Sequence, residues 1–391
     1  MEHSSDESKR LLFWFIVGVI ITFSFAYVDT IDLFYGELSR GQVMGRDFLH
    51  SWTAARLGLD GNFTEIYNTD KFINYAPQVV KESGVVFNFA YPPQNLLILL
   101  PFGVLSYNSA LIIWSILGLT VFLSSFYIGS EDEKTNLWLI VLILAPTTIL
   151  NFIFGQNGLL VAALLIGGVR ALDKQPVLAG FLFGILTIKP HLGLLIPIAL
   201  IASNNWKAFL SAVITTIAFI SLTVIVMGVE VWSAWWGEGA LAYARSFIEN
   251  GKGMGIMMQV SPFIMVRETF GNLTLAWIVQ AISMLISTVI IIFTFRSNYD
   301  SAIKGGILVV ATYLVSPYVH NYDMAALTGV IAILICRFGG FFSNYHSSVV
   351  FILVWFAPVL TMYFSMVGFF VSPFIVLYFL FFLIKHPIYS K

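Results

Sequence analysis

Residues 207–228 read KAFLSAVITTIAFISLTVIVMG, and the charge in that run sits at its first position. A stretch that long and that apolar is stable as a helix in lipid, where it satisfies its own backbone hydrogen bonds. Comparable runs recur at roughly 11–34, 93–105, 108–128, 136–153, 157–172, 176–188, 191–203, 272–295, 303–318, 322–337, 348–367 and 371–385. They are continuous rather than alternating, so they read as helices and not as barrel strands. With 58% hydrophobic and 10% charged residues and a mean hydropathy of +0.87 over 391 residues, no soluble domain fits. The expectation is an all-α, polytopic integral membrane protein with about 12 spans, forming one domain over 1–391.

Several runs are shorter than the ~20 residues a straight span needs. Pro101, Pro146, Pro190 and Pro317 interrupt them. Broken helices at membrane depth are tolerated where they line protein interior or a wet cavity, so these breaks point to an internal site. The polar start, MEHSSDESKR, is followed by a run too long for a signal-peptide core, which is expected to stay as the first span.

Lys9–Arg10, Arg170–Lys174, Lys207, Arg296–Lys304, Arg337 and Lys385–Lys391 mark one face as cytoplasmic, the N-terminus included. Two long polar loops, about 36–92 and 229–271, then lie outside. From Lys207 onward the alternation works. Between the first run and Arg170 four segments must make an odd number of crossings, and the short, proline-broken 93–105 is the first candidate to re-enter. A net charge of −1 without a basic stripe argues against nucleic acid as a partner. The single cysteine, Cys336, excludes a disulfide framework and reads as a packing residue.

Charge is concentrated in the first loop, GRDFLHSWTAARLGLDGNFTEIYN (45–68). Phe48, Trp52, Ala55 and Leu59 share one helical face while Arg56 and Asp60 fall on another, which predicts an amphipathic helix lying in the interface and stopping near Gly61–Asn62. A second short helix is expected around Thr69–Ser83, and Tyr91–Pro92–Pro93 makes a rigid step back into the membrane. Asp47 has two readings. It is the N-cap of the helix that starts at Phe48, or a general base that takes a proton from a hydroxyl nucleophile. His50 reads as an interfacial histidine or a site residue.

Other polar groups interrupt apolar runs: Gln156 and Asn157 in FGQNG, Lys189 and His191 around Pro190, and His320, Asn321 and Asp323 after Pro317. Ionisable groups at membrane depth are costly and mostly functional. The Lys189 ammonium requires an anionic partner, either a carboxylate or a phosphate, unless it snorkels. His320 has a structural alternative, pairing with Asp323. Trp232, Trp235 and Trp236 in the second loop form an interface belt or stack on sugar rings, the belt being favoured. GKGMG (251–255) is a flexible segment suited to cover a site. P-loop, HExxH, GxSxG and EF-hand patterns are absent, and no histidine has metal-ligand spacing.

GRDFLHSWTAARLGLDGNFTEIYN, FAYPPQNLLILLPFGVLS, ILNFIFGQNGLLVAALLIGG, LAGFLFGILTIKPHLGLLIPIALI and SPYVHNYDMAAL occur in that order over about 40–325. Together they resemble glycosyltransferase family 87, of the C-type superfamily of membrane glycosyltransferases. The resemblance implies a C-type fold and an inverting transfer of a sugar, typically mannose, from a polyprenyl-phosphate donor to a glycolipid or glycan hydroxyl on the outer face of a bacterial inner membrane. It implies no cofactor and no metal. The family's acidic residue matches Asp47, its late histidine matches His320 through an approximate fit at YVHNYDM, and its other motifs match Lys189 with Pro190 and Gln156 with Asn157. Arg46, His50, Arg56, Tyr91 and His191 complete the expected substrate-binding set. Two other classes compete. A transporter or flippase predicts inverted repeats, which the sequence does not display, and a scaffold predicts tolerance of neutral residues at 47 and 189.

Overall fold

The computed structural model describes Ile20 and residues 45–79, 88–129, 135–339 and 344–386. The expected first span, 11–34, lies outside the described residues except for Ile20, which is helical; Lys9, Arg10 and Lys391 also lie outside them. Every regular element described is helical, and an antiparallel bridge between Gln259 and His320 is the nearest approach to a sheet.

Among the described residues, five helices are long and apolar enough to cross a membrane: Tyr107–Ser125, Trp206–Met227, Leu273–Arg296, Asn321–Phe338 and Tyr345–Met366. Shorter apolar helices include Gly158–Ala171 and Ser301–Val315. Four of these five long helices start at side-chain caps. Ser106, Asn205, Asn272 and Asn344 each accept a hydrogen bond from a backbone N–H three residues on. The first of these helices therefore begins where an apolar run meets a polar cap, as the sequence has it. The expected 136–153 helix is two helices, Thr135–Ile143 and Pro146–Phe154, because Pro146 cannot donate to the turn before it and instead opens a new helix.

Ser301–Val315 and Ala325–Phe338 are buried on nearly every side and form the centre of the core with Gly158–Ala171. Trp206–Met227 and Leu273–Arg296 lie outside them and expose large apolar side chains such as Ile225 and Phe293. That much apolar surface on a long uncharged helix faces lipid. Cys336 is half-buried on the inner helix and lines a cavity at the end remote from the first loop, with Arg170 and Arg337.

Helix Pro176–Ile185 lies against Trp206–Met227 through Gly180 and Gly184. A Cβ on Gly180 would strike the Ala208 carbonyl oxygen, and one on Gly184 would come within 2.5 Å of Thr215 Cβ. Small residues four apart let two backbones approach in lipid, where tight packing drives association. Gly180→Val is expected to force the helices apart at a cost of about 1–3 kcal/mol or more. Thermal unfolding in detergent micelles tests this; an unchanged midpoint would show the crossing to be loose.

The first-loop helix runs Arg46–Leu59 and corrects two expectations. It is not half-exposed at an interface: Phe48 through Ala55, with Leu57 and Gly58, are all buried, and Leu59, assigned to the buried face, is exposed. The cause is tertiary. The segment 93–105 folds as a seven-residue helix, Pro93–Leu99, and a five-residue 3₁₀ turn, Leu100–Val104, and covers the second face. Backbones touch there, since a Cβ on Gly103 would lie 2.9 Å from the Ala55 carbonyl carbon. Twelve helical residues rise only ~18 Å, short of the ~30 Å hydrocarbon core. The second correction concerns the cap: the N-cap is Gly45 at φ 68°, and Asp47 lies inside the first turn without capping it. The helix stops as expected, with Gly61 at φ 82°. The second loop helix is described over Thr69–Val79.

Candidate active site

Three of the helix breaks converge on one cavity of about 610 Å³. Its wall takes Arg46, Asp47 and His50 from the first-loop helix, Tyr91 from the re-entering step, and Gln156 from the break after Phe154. Lys189 and His191 come from the second break, and Pro317, Tyr318 and His320 from the third. The breaks at Pro101 and Pro146 lie elsewhere. The second loop closes the remaining side. Its chain runs through two π-helical stretches, Trp235–Ala242 and Ala244–Glu249. The wide turn brings Trp235, Gly239, Tyr243 and Phe247 onto the cavity wall at intervals of four.

Asp47 is held rather than free. Gln156 Nε2 donates to its Oδ2 at 2.8 Å, and the Tyr91 hydroxyl donates to Gln156 Oε1 at 3.1 Å. The hydroxyl fixes the amide's orientation, because a phenol donating to Oε1 leaves only the NH₂ for the carboxylate. Tyr91 is itself fixed, its carbonyl accepting from the Tyr67 hydroxyl at 2.9 Å. Gly155 brings these elements together. It adopts φ 65°, and a Cβ there would lie 2.6 Å from Phe48 Cβ, so the turn that presents Gln156 meets the first-loop helix where only glycine fits. Arg46 lies over the Phe154 ring at 4.4 Å, with Nε 3.9 Å from Asp47 Oδ1. The Asp47 carboxylate keeps about a sixth of its surface exposed, at 17%.

His50 is buried and stacks on Tyr91, with ring centroids 6.2 Å apart and planes 10° from parallel. Burial lowers its pKa from 6.5 to about 4, so it is neutral at pH 7. The unfolded chain binds this proton near pH 6.5 and the folded chain only near 4. Folding stability is thus intact above pH 6.5 and falls as the pH drops toward 4, by about 3 kcal/mol at most from this one group. His50→Phe is expected to flatten that part of an unfolding-midpoint profile measured between pH 7 and pH 4. A profile identical to that of the parent protein would mean the ring is solvated.

Lys189 finds the carboxylate that the sequence left open. Its Nζ lies 2.6 Å from Asp323 Oδ1, with both side chains almost wholly buried, and 3.4 Å from Asn157 Oδ1. The rings of Tyr322 and Tyr91 flank the ammonium at 5.2 and 5.8 Å. Asp323 also accepts the His320 backbone N–H at 3.3 Å, so the expected His320–Asp323 pairing runs through the backbone while the ring turns to Gln259. Gln259 Oε1 accepts from the Val319 N–H at 3.0 Å, which leaves its NH₂ to donate to His320 Nε2 at 2.9 Å. The neutral ring then carries its proton on Nδ1, a buried atom without a hydrogen-bond partner. His320 stacks on Tyr322 at 4.8 Å and meets Tyr318 edge-on at 4.9 Å; His191 packs against the other side of Tyr318 at 5.5 Å.

Of the expected site residues, Asn157 stands behind Lys189, off the cavity wall. Arg56 lies away from it, donating to the Gly103 carbonyl at 3.0 Å. The favoured belt of tryptophans is divided. Trp235 lines the cavity and donates to the Ala90 carbonyl at 3.1 Å, Trp232 donates to Thr223, and Trp236 is exposed. Gln259, Tyr243, Tyr318 and Phe247 join the site without a sequence signal, and Asp323, expected beside His320, takes the Lys189 ammonium. Gln259 in particular lies in MMQVSPF, which carries no signal of its own.

A cavity of this size, with one partly exposed carboxylate held by an amide and a buried ion pair beside it, suits chemistry on a polar group presented at a membrane. The family model for glycosyltransferase family 87 matches residues 89–317, more than half of the chain. The chain belongs to glycosyltransferase family 87. It is a membrane glycosyltransferase, and the matched span holds Tyr91, Gln156, Lys189, His191, Tyr243 and Gln259. Asp47 and His320 lie on either side of that span and reach the same cavity through the fold. Searches of curated proteins and of solved structures returned no match.

Proposed function

We propose that this family 87 enzyme transfers a mannosyl group, with inversion, from a polyprenyl-phosphate donor to a hydroxyl of a glycolipid or glycan on the outer face of the membrane. Asp47 carries this reading. It is a carboxylate on the cavity wall, partly exposed and oriented by Gln156, with Arg46 beside it.

The acceptor oxygen attacks the anomeric carbon from the face opposite the phosphate. The carbon–oxygen bond to the phosphate breaks, and polyprenyl phosphate leaves with the electron pair. Asp47 takes the acceptor's proton as the new bond forms. Phosphate is already a good leaving group, so the step asks more of a base than of an acid. The rings of Trp235, Tyr243 and Tyr318 offer flat apolar faces for the sugar, and the His320 Nδ1–H offers a donor for a sugar hydroxyl or a phosphate oxygen. Arg46, His50, Tyr91, Lys189 and His191 complete the binding wall, with Asn157 behind Lys189.

The test is transfer by purified protein from radiolabelled polyprenyl-phosphate-mannose, with a lipid extract of the source cells as acceptor. Label moving into a new product whose anomeric configuration is opposite to that of the donor is expected. Transfer from a nucleotide sugar in its place would overturn the donor assignment.

A further inference from the structure

Among the described residues, four Asp, Glu, Lys or Arg side chains lie on the cavity wall: Arg46, Asp47, Lys189 and Lys252. Two of the three cations are committed. Arg46 sits beside Asp47, and Lys189 is locked to Asp323 at 2.6 Å. The Lys189 side chain is 1% exposed, with Asp323 and Asn157 against its ammonium, so it offers a phosphate almost no open surface. Lys252 differs. It is exposed at the cavity rim, and among the described residues its ammonium has no hydrogen bond or ion pair.

The loop that carries Lys252 is built, not slack. Arg267, only 7% exposed, donates from Nη1 to the Ile248 carbonyl and from Nη2 to the Gly251 carbonyl at 2.9 Å, and Glu268 neutralises it. The Gly251 N–H closes on the Phe247 carbonyl at 2.9 Å, and Gly253 at φ 82° turns the chain back so that Met254 and Gly255 meet the cavity. A buried guanidinium thus fixes the backbone directly before the lysine.

We propose that Lys252 is the cation that meets the donor's phosphate at the cavity mouth, the Lys189–Asp323 pair staying closed behind it. This rests on the polyprenyl-phosphate reading above. The leaving phosphate gains negative charge as its bond to the sugar breaks, so the contact strengthens toward the transition state and helps turnover as well as binding.

Lys252→Gln is expected to lower kcat/KM for the polyprenyl-phosphate sugar about tenfold or more and to weaken inhibition by added polyprenyl phosphate to a similar degree. Lys252→Arg should restore most of both, and unfolding midpoints should not move, since the side chain is exposed. Unchanged donor kinetics and product inhibition in Lys252→Gln, beside normal wild-type transfer, would overturn the assignment and leave the functional reading standing. Wild-type protein that neither transfers from this donor nor binds polyprenyl phosphate would overturn both.

Discussion

Asp47→Asn is expected to reduce sugar transfer by about 10²–10⁴-fold without loss of folded protein, the range lost when a positioned general base is removed. The substitution is close to isosteric. Gln156 Nε2 now donates to Asp47 Oδ2 at 2.8 Å, and an asparagine can turn its carbonyl oxygen to the same place. Tyr91 and Gln156 should therefore stay put, and the unfolding midpoint should hold within a degree or two. Donor binding should also survive, so the loss is expected in kcat rather than in KM. Transfer at the parental rate would remove Asp47 from the chemistry, while the family assignment would stand.

Lys189→Met should do its damage to the fold first. The lysine and Asp323 are both almost wholly buried, and removing one partner of such a pair leaves an uncompensated charge at a cost of about 3–5 kcal/mol. The double variant Lys189→Met with Asp323→Asn is expected to recover much of that loss, since it leaves no charge and the asparagine carbonyl can still accept the His320 N–H. Midpoints of denaturant unfolding in micelles, compared across the two single variants and the double, measure the coupling. A single variant as stable as the parent would mean that the pair is not closed in the folded protein. Lost activity in Lys189→Met alone does not locate the donor phosphate, because Asn157, Tyr91 and Tyr322 all surround the same ammonium.

The opposite fates of Leu59 and Gly103 show how far local pattern reaches. Helical spacing places Phe48, Trp52, Ala55 and Leu59 on one face, and the helix does form at that place with those ends. Its surroundings depend on residues 93–104, some 40–50 positions away, whose packing against it buries the second face, while Leu59 meets Gly103 at the edge of that contact and stays half exposed. Periodicity reports which face is more apolar, not whether a second partner exists.

The site divides in the same way. Length and apolarity fix the membrane helices, since a lipid-facing backbone must close its hydrogen bonds within the segment. Pro190 and Pro317 fix two of the breaks at the site, because a missing N–H is a local fact, and Gly155 with its polar neighbours marks the third. The polar residues at those breaks, with Asp47, were thus legible as a set. Their partners were not. Gln156 reaches Asp47 across 109 positions, Lys189 reaches Asp323 across 134, and Gln259 reaches His320 across 61. A hydrogen bond between distant residues leaves no period and no spacing in the chain. It exists once the fold buries both ends together, where an unpaired polar group is costly enough to select its partner.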